Sequence, residues 1–131
     1  LLAYWLPVVT YASGIFILSS FSRPPTPPSA EKVANFAEIV HFTEYAGLAA
    51  LLYFAIGSLE NKTVRRNTAW VAMAAAFIYA ATDETHQSFV PGRSATINDW
   101  LVDCVGALVV LVMAMCYTSI IWRKKRRSQG A

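Results

Sequence analysis

His41 and His86 are the two histidines of this 131-residue chain, and each stands among carboxylates at helical spacing. Glu38, His41 and Tyr45 recur at i, i+3 and i+7, with Glu44 three residues beyond His41, so these side chains share one face of a helix. Further along, Asp83, His86 and Gln87 follow i, i+3, i+4, with Glu84 beside them. Asp99 and Asp103 make a third group at i, i+4, with Gly106 below them, and Arg93 lies in the connection between the second and third groups. Histidine beside carboxylate is the raw material of general acid–base chemistry. An arginine fork suits a phosphate or carboxylate. The spacing also permits a carboxylate-bridged metal site in a helix bundle. No ligand signature as specific as a paired Cys-x-x-Cys is present, however, so the reading assigns neither a metal nor a cofactor. A purely structural reading stands beside these: the groups satisfy one another and hold helices together, and Asp99 serves as a helix cap.

The elements that must position these groups follow from composition. Hydrophobic residues make up 56% of the chain and charged residues only 15%, where a soluble domain carries about a quarter charged. Mean hydropathy is +0.41. The expected fold is all-α: an integral membrane bundle of four transmembrane helices, each needing roughly 20 residues. Span one runs from about Leu2 to Phe21, with Pro7 in its first turns. A proline-rich stretch, Arg23 to Ser29, cannot continue a helix and reads as a stiff extended connector. Ser29 is placed to cap a short amphipathic piece from Glu31 to Ala37. Span two follows from about Ile39 to Leu59, and span three from about Thr68 to Phe89, its first half rich in alanine and suited to close helix contact. The loop Val90-Pro91-Gly92-Arg93-Ser94 breaks it, and span four runs from about Asp99 to Trp122 with Asp99 or Asn98 as cap. Cys104 and Cys116 lie in one helix, roughly 18 Å apart by the helical rise, beyond disulfide reach.

Net charge is +3, and most of the excess sits in two short runs: Lys62, Arg65 and Arg66 between spans two and three, and Arg123 to Arg127 after span four. Directly behind a long apolar helix the second run reads as a membrane anchor, so no nucleic-acid partner is expected. Basic residues stay on the cytoplasmic side, which puts both termini in the cytoplasm. All three polar groups then fall toward the outer face: the start of span two, the end of span three and the start of span four. Polar side chains in lipid must find partners, so the three faces should point at one another.

The run Asp83-Glu84-Thr85-His86-Gln87-Ser88-Phe89-Val90-Pro91-Gly92-Arg93, followed by Asp99, Asp103 and Gly106, strongly resembles the signature of VanZ-like proteins. The upstream His41-Phe42-Thr43-Glu44-Tyr45, with Leu48 beyond, resembles it too. The chain departs from the pattern at Glu38, three residues before His41, where many members carry a lysine. The resemblance covers roughly Glu38 to Val112. It implies a small multi-pass protein of the bacterial inner membrane, with residues 1–122 as one VanZ-like transmembrane domain and 123–131 as a basic cytoplasmic tail. The family's founding member is linked to teicoplanin-type glycopeptide resistance.

Three functions compete at this point. The preferred one is binding of an anionic cell-envelope component, such as a lipid carrier or glycolipid head group. Arg93 and His86 would contact the anion, oriented by Asp83 and Glu44, and the ligand set would be His41, Glu44, Asp83, Glu84, His86, Gln87, Arg93, Asp99 and Asp103. The second is an accessory subunit of a larger membrane protein complex, in which the polar cluster is structural. The third is a membrane-embedded hydrolase or transferase acting on a lipid-linked substrate, with His41 and His86 as acid and base tuned by Glu84 or Asp83. No activated nucleophile stands out.

Overall fold

A computed structural model describes residues 2–22, 35–93 and 95–129. They form five helices: α1 (Leu2–Ser19), α2 (Phe36–Gly57), α3 (Lys62–Arg66), α4 (Thr68–Gln87) and α5 (Ile97–Gln129). The fold is all-helical among the described residues. Three helices, α1, α2 and α5, are long and apolar enough to cross a membrane. The 20-residue α4 is long enough, but its alanines and the polar run from Asp83 to Gln87 leave it less apolar than the others.

Each long helix buries one stripe and leaves the rest uncovered. In α2 the buried residues are Tyr45, Leu48, Ala49, Leu52, Ala55 and Ile56, the i, i+3, i+4, i+7 pattern of a packed helical face. In α4 the stripe is Thr68, Ala72, Ala76 and Ala80, continued by Asp83, Glu84 and Gln87. Ala72, Ala76 and Ala80 are completely buried, so the alanine-rich half packs inside the bundle as its composition requires. In α1 only Val8, Ile15 and Ser19 are buried, while Leu6 and Ile17 stand 66% and 57% exposed. Large apolar side chains facing outward on every long helix belong to a bundle solvated by lipid. The central helix is α2, which packs on α5 most extensively and also on α4 and α1.

Polar contacts between helix ends define one end of the bundle. Ser19 and Ser20, at the close of α1, meet Asp83 and His86, at the close of α4. His41, early in α2, meets Asp103, early in α5. Chain direction therefore alternates from α1 to α2 to α4 to α5. At the other end, Arg65 and Arg66 of α3 line the same hollow as Met115 and Thr118 of α5, which brings the short basic helix to the side toward which α5's basic end runs.

Several boundaries differ from the sequence expectation. α2 begins at Phe36, so Phe36 and Ala37 are its first turn rather than the tail of a separate piece. Residues 31–34 of that piece, its Ser29 cap and the extended proline stretch lie outside the described residues. The basic connection folds into α3, whose first amides donate to the Asn61 side chain at 3.0 and 3.1 Å. α4 ends at Gln87, two residues before Phe89. α5 starts at Ile97, and its cap is neither Asn98 nor Asp99. The Thr96 hydroxyl accepts from the Asp99 amide at 3.1 Å and donates to the Asp99 carboxylate at 2.7 Å. Threonine precedes the first helical residue, so its oxygen reaches the third amide of the helix. Both cysteines are free.

Candidate functional site

Where α2 crosses α5, a Cβ on Gly106 would collide with the backbone carbonyl of Phe42. Glycine lets the two backbones close up here, one turn below Asp103 and next to His41. The closeness has a direct product. His41 Nδ1 lies 3.0 Å from Asp103 Oδ1, with Asp103 completely buried and the histidine 13% exposed. A carboxylate accepts, so the ring donates through Nδ1.

Glu84 projects from α4 into the same place. One ligand atom from each of His41, Glu84 and Asp103 lies within 4.8 Å of the others. Glu84 is 8% exposed, yet neither of its carboxylate oxygens has a hydrogen-bond partner among the described residues, and neither does Asp103 Oδ2. Glu84 also lines a hollow of about 460 Å3 between the end of α4 and the start of α5, together with Thr85, Ser88, Thr96 and Trp100. Asp99 is close enough to His41, Glu84 and Asp103 to act on them electrostatically.

A second group faces α1. Asp83 Oδ2 accepts from Ser19 Oγ and from Gln87 Nε2, both at 2.9 Å. Gln87 Nε2 also approaches Ser19 Oγ at 3.3 Å. His86 Nε2 lies 3.0 Å from Ser20 Oγ, whose hydroxyl donates to the Phe16 carbonyl at 2.7 Å. With that hydrogen used, the ring must be the donor to Ser20. The imidazole also stacks on Phe16 at 4.4 Å between centroids. Asp83 Oδ1 and the hydroxyl of the fully buried Tyr45 make no hydrogen bond of good geometry among the described residues, but the hydroxyl lies close enough to the Asp83 carboxylate to donate to it.

Arg93 arrives on a tight turn. Its amide donates to Val90 O at 3.1 Å, and Gly92 has φ +83°. Pro91 and Gly92 at the two central positions suit a type II turn, whose second central residue takes the positive φ that glycine adopts most readily. Arg93 Nε is buried and unpartnered among the described residues, and the arginine charge reaches Glu44. Glu44 lines a groove of about 650 Å3 between α1 and α2, walled mainly by apolar residues including Leu6, Ile15, Leu18 and Leu51.

The expected single cluster is thus two groups back to back. Adjacent positions on a helix diverge by about 100°, so Asp83 turns to α1 while Glu84 turns to α2 and α5. Glu44, about 60° around α2 from His41, lines the groove against α1 instead. No hydrogen bond or ion pair joins His41 to His86 among the described residues, so the structure does not assemble them as one acid–base pair. Sequence reasoning missed Ser19 and Ser20, whose one signal was a polar pair closing an apolar helix. It also missed Tyr79, whose hydroxyl donates to the Ala12 carbonyl at 2.6 Å and ties α4 to α1.

A helical bundle with three helices long and apolar enough to cross a membrane, and a buried polar layer at one end, has the features of a multi-pass membrane protein. Residues 4–122 match the VanZ/LLP1 family model, and the chain belongs to that family. Among curated proteins and among solved structures there is no significant match.

Proposed function

We propose that this VanZ-family protein crosses the bacterial inner membrane four times and uses its outward end to bind the head group of an anionic, lipid-linked envelope component. The observation that carries the reading is the set of unmet polar atoms at that end. Glu84 and Asp103 offer acceptor oxygens, and Arg93 offers a donor, all buried and without hydrogen-bond partners among the described residues. Leaving such a group unmet costs about 1–3 kcal/mol, more when it is charged. A ligand bearing hydroxyl donors together with a phosphate or carboxylate satisfies both kinds of group at once. The apolar groove along α1, with Glu44 in its wall, suits the lipid chain of the same molecule.

The four-span topology rests on α4. Its 20 residues rise about 30 Å, the thickness of the hydrocarbon core. Its polar residues are gathered at one end, where partners from α1, α2 and α5 surround them. Both basic clusters belong to the opposite end, which supports cytoplasmic termini and an outward polar layer.

Native mass spectrometry after mild detergent extraction tests the binding. Wild type should retain an anionic lipid or lipid-linked species that Arg93→Ala loses. A bare chain, or one held by the same partner protein whether or not Arg93 is present, would instead favour an accessory subunit of a larger complex.

One observation favours a hydrolase or transferase as a second reading. A buried carboxylate on Nδ1 of His41 is the arrangement that holds an imidazole in the tautomer with Nε2 as base. Turnover of a lipid-linked phosphate by wild type, abolished in a folded His41→Gln variant, would establish it.

A further inference from the structure

We infer that His41, Glu84 and Asp103 form a binding site for one divalent first-row transition ion, of the Zn2+ or Mn2+ class. Three facts meet at this point. One ligand atom from each residue lies within 4.8 Å of the others. Glu84 and Asp103 are 8% and 0% exposed, and three of their four carboxylate oxygens have no hydrogen-bond partner among the described residues. The three residues come from α4, α2 and α5, so the site is fixed by the bundle and not by one flexible segment.

The distances suit an ion. His41 Nδ1 and Asp103 Oδ1 are 3.0 Å apart. Adjacent ligands at about 2.1 Å from an ion are about 3.0 Å apart in octahedral geometry and about 3.4 Å apart around tetrahedral zinc. The cation would take the place of the hydrogen that Nδ1 now donates, and the neutral ring would carry its hydrogen on Nε2. Glu84, whose ligand atom lies within 4.8 Å of the other two, supplies the third ligand by closing in on the ion.

Charge argues the same way. Two carboxylates and a neutral imidazole carry −2, which a divalent cation cancels where burial makes uncompensated charge costly. The imidazole selects against Mg2+ and Ca2+, whose preferred ligands are all oxygen. Glu84 borders the hollow beside Thr85, Ser88 and Trp100, which provides an entry path and leaves room for water on the open coordination positions. The site shares the Glu84 and Asp103 oxygens with the head-group reading but needs neither Arg93 nor a lipid.

The test uses the full chain in mild detergent, stripped by a chelator and then titrated with Zn2+ or Mn2+. Wild type should bind about one ion per chain and melt at a higher temperature when loaded. Glu84→Gln and His41→Gln should each weaken binding at least about tenfold, as losses around a metal site commonly do. Glu60→Gln, which removes an exposed acid at the other end of the bundle, should bind as wild type. Failure of wild type to take up either ion, or equal uptake by both ligand variants, overturns the site. Should neither variant fold, wild type decides: a loaded protein with an unchanged melting temperature overturns it. Lipid retention by wild type and Arg93→Ala is read separately, so failure of one proposal leaves the other standing.

Discussion

Asp103 and Glu84 show how differently two buried carboxylates behave when only one has a protein partner. Asp103 is completely buried and depends on His41. His41→Ala should therefore destabilise the chain by about 3–5 kcal/mol, because it strands a buried charge. Thermal unfolding in detergent measures this. Glu84 makes no protein hydrogen bond among the described residues. In metal-free protein Glu84→Gln should therefore raise stability by about 1 kcal/mol, since it removes a buried charge and breaks no contact. The opposite signs are the diagnostic feature. Loss of stability in Glu84→Gln without metal would mean that the carboxylate already has a partner in the protein.

Helix against helix, the decisive contact is Gly106 on the backbone of Phe42. Gly106→Ala should push α2 away from α5 at the level of His41 and Asp103. The expected cost is about 1–3 kcal/mol from overpacking, together with weakened cation binding measured by the same titration. The turn before α5 makes a second test. Gly92 has φ +83°, so Gly92→Ala is strained by about 1–2 kcal/mol and should misdirect Arg93. Lipid retention in native mass spectrometry should fall in this variant while the His41–Asp103 site is spared. Much at this scale was legible in advance. The alanine stripe of α4 and the i, i+4 pair Asp99 and Asp103 are patterns in one dimension. The Thr96 cap was missed because threonine, asparagine and aspartate all stand near the start of α5, and which oxygen reaches an amide is a matter of local backbone geometry.

Over the whole molecule, the prediction concerns topology. A C-terminal fusion to a fluorescent protein that matures in the cytoplasm should be bright, and the matching alkaline phosphatase fusion inactive. An active phosphatase fusion would reverse the orientation or change the number of spans. By itself the sequence determined that the chain is a helical membrane protein and that ionisable residues gather toward one end, because apolar run length and charge placement are local properties of a chain that lipid must solvate. It also carried the family signature. Only the tertiary structure decided that those residues form two groups and not one, and that Ser19 and Ser20 of α1 complete the group on Asp83, Gln87 and His86. It alone placed Glu84 beside His41 and Asp103. The reason is rotational: helical spacing says which side chains share a face, but which neighbour that face meets depends on how four helices turn about their axes as they pack. That rotation is set by contacts such as Gly106 on Phe42, between residues 64 positions apart in sequence.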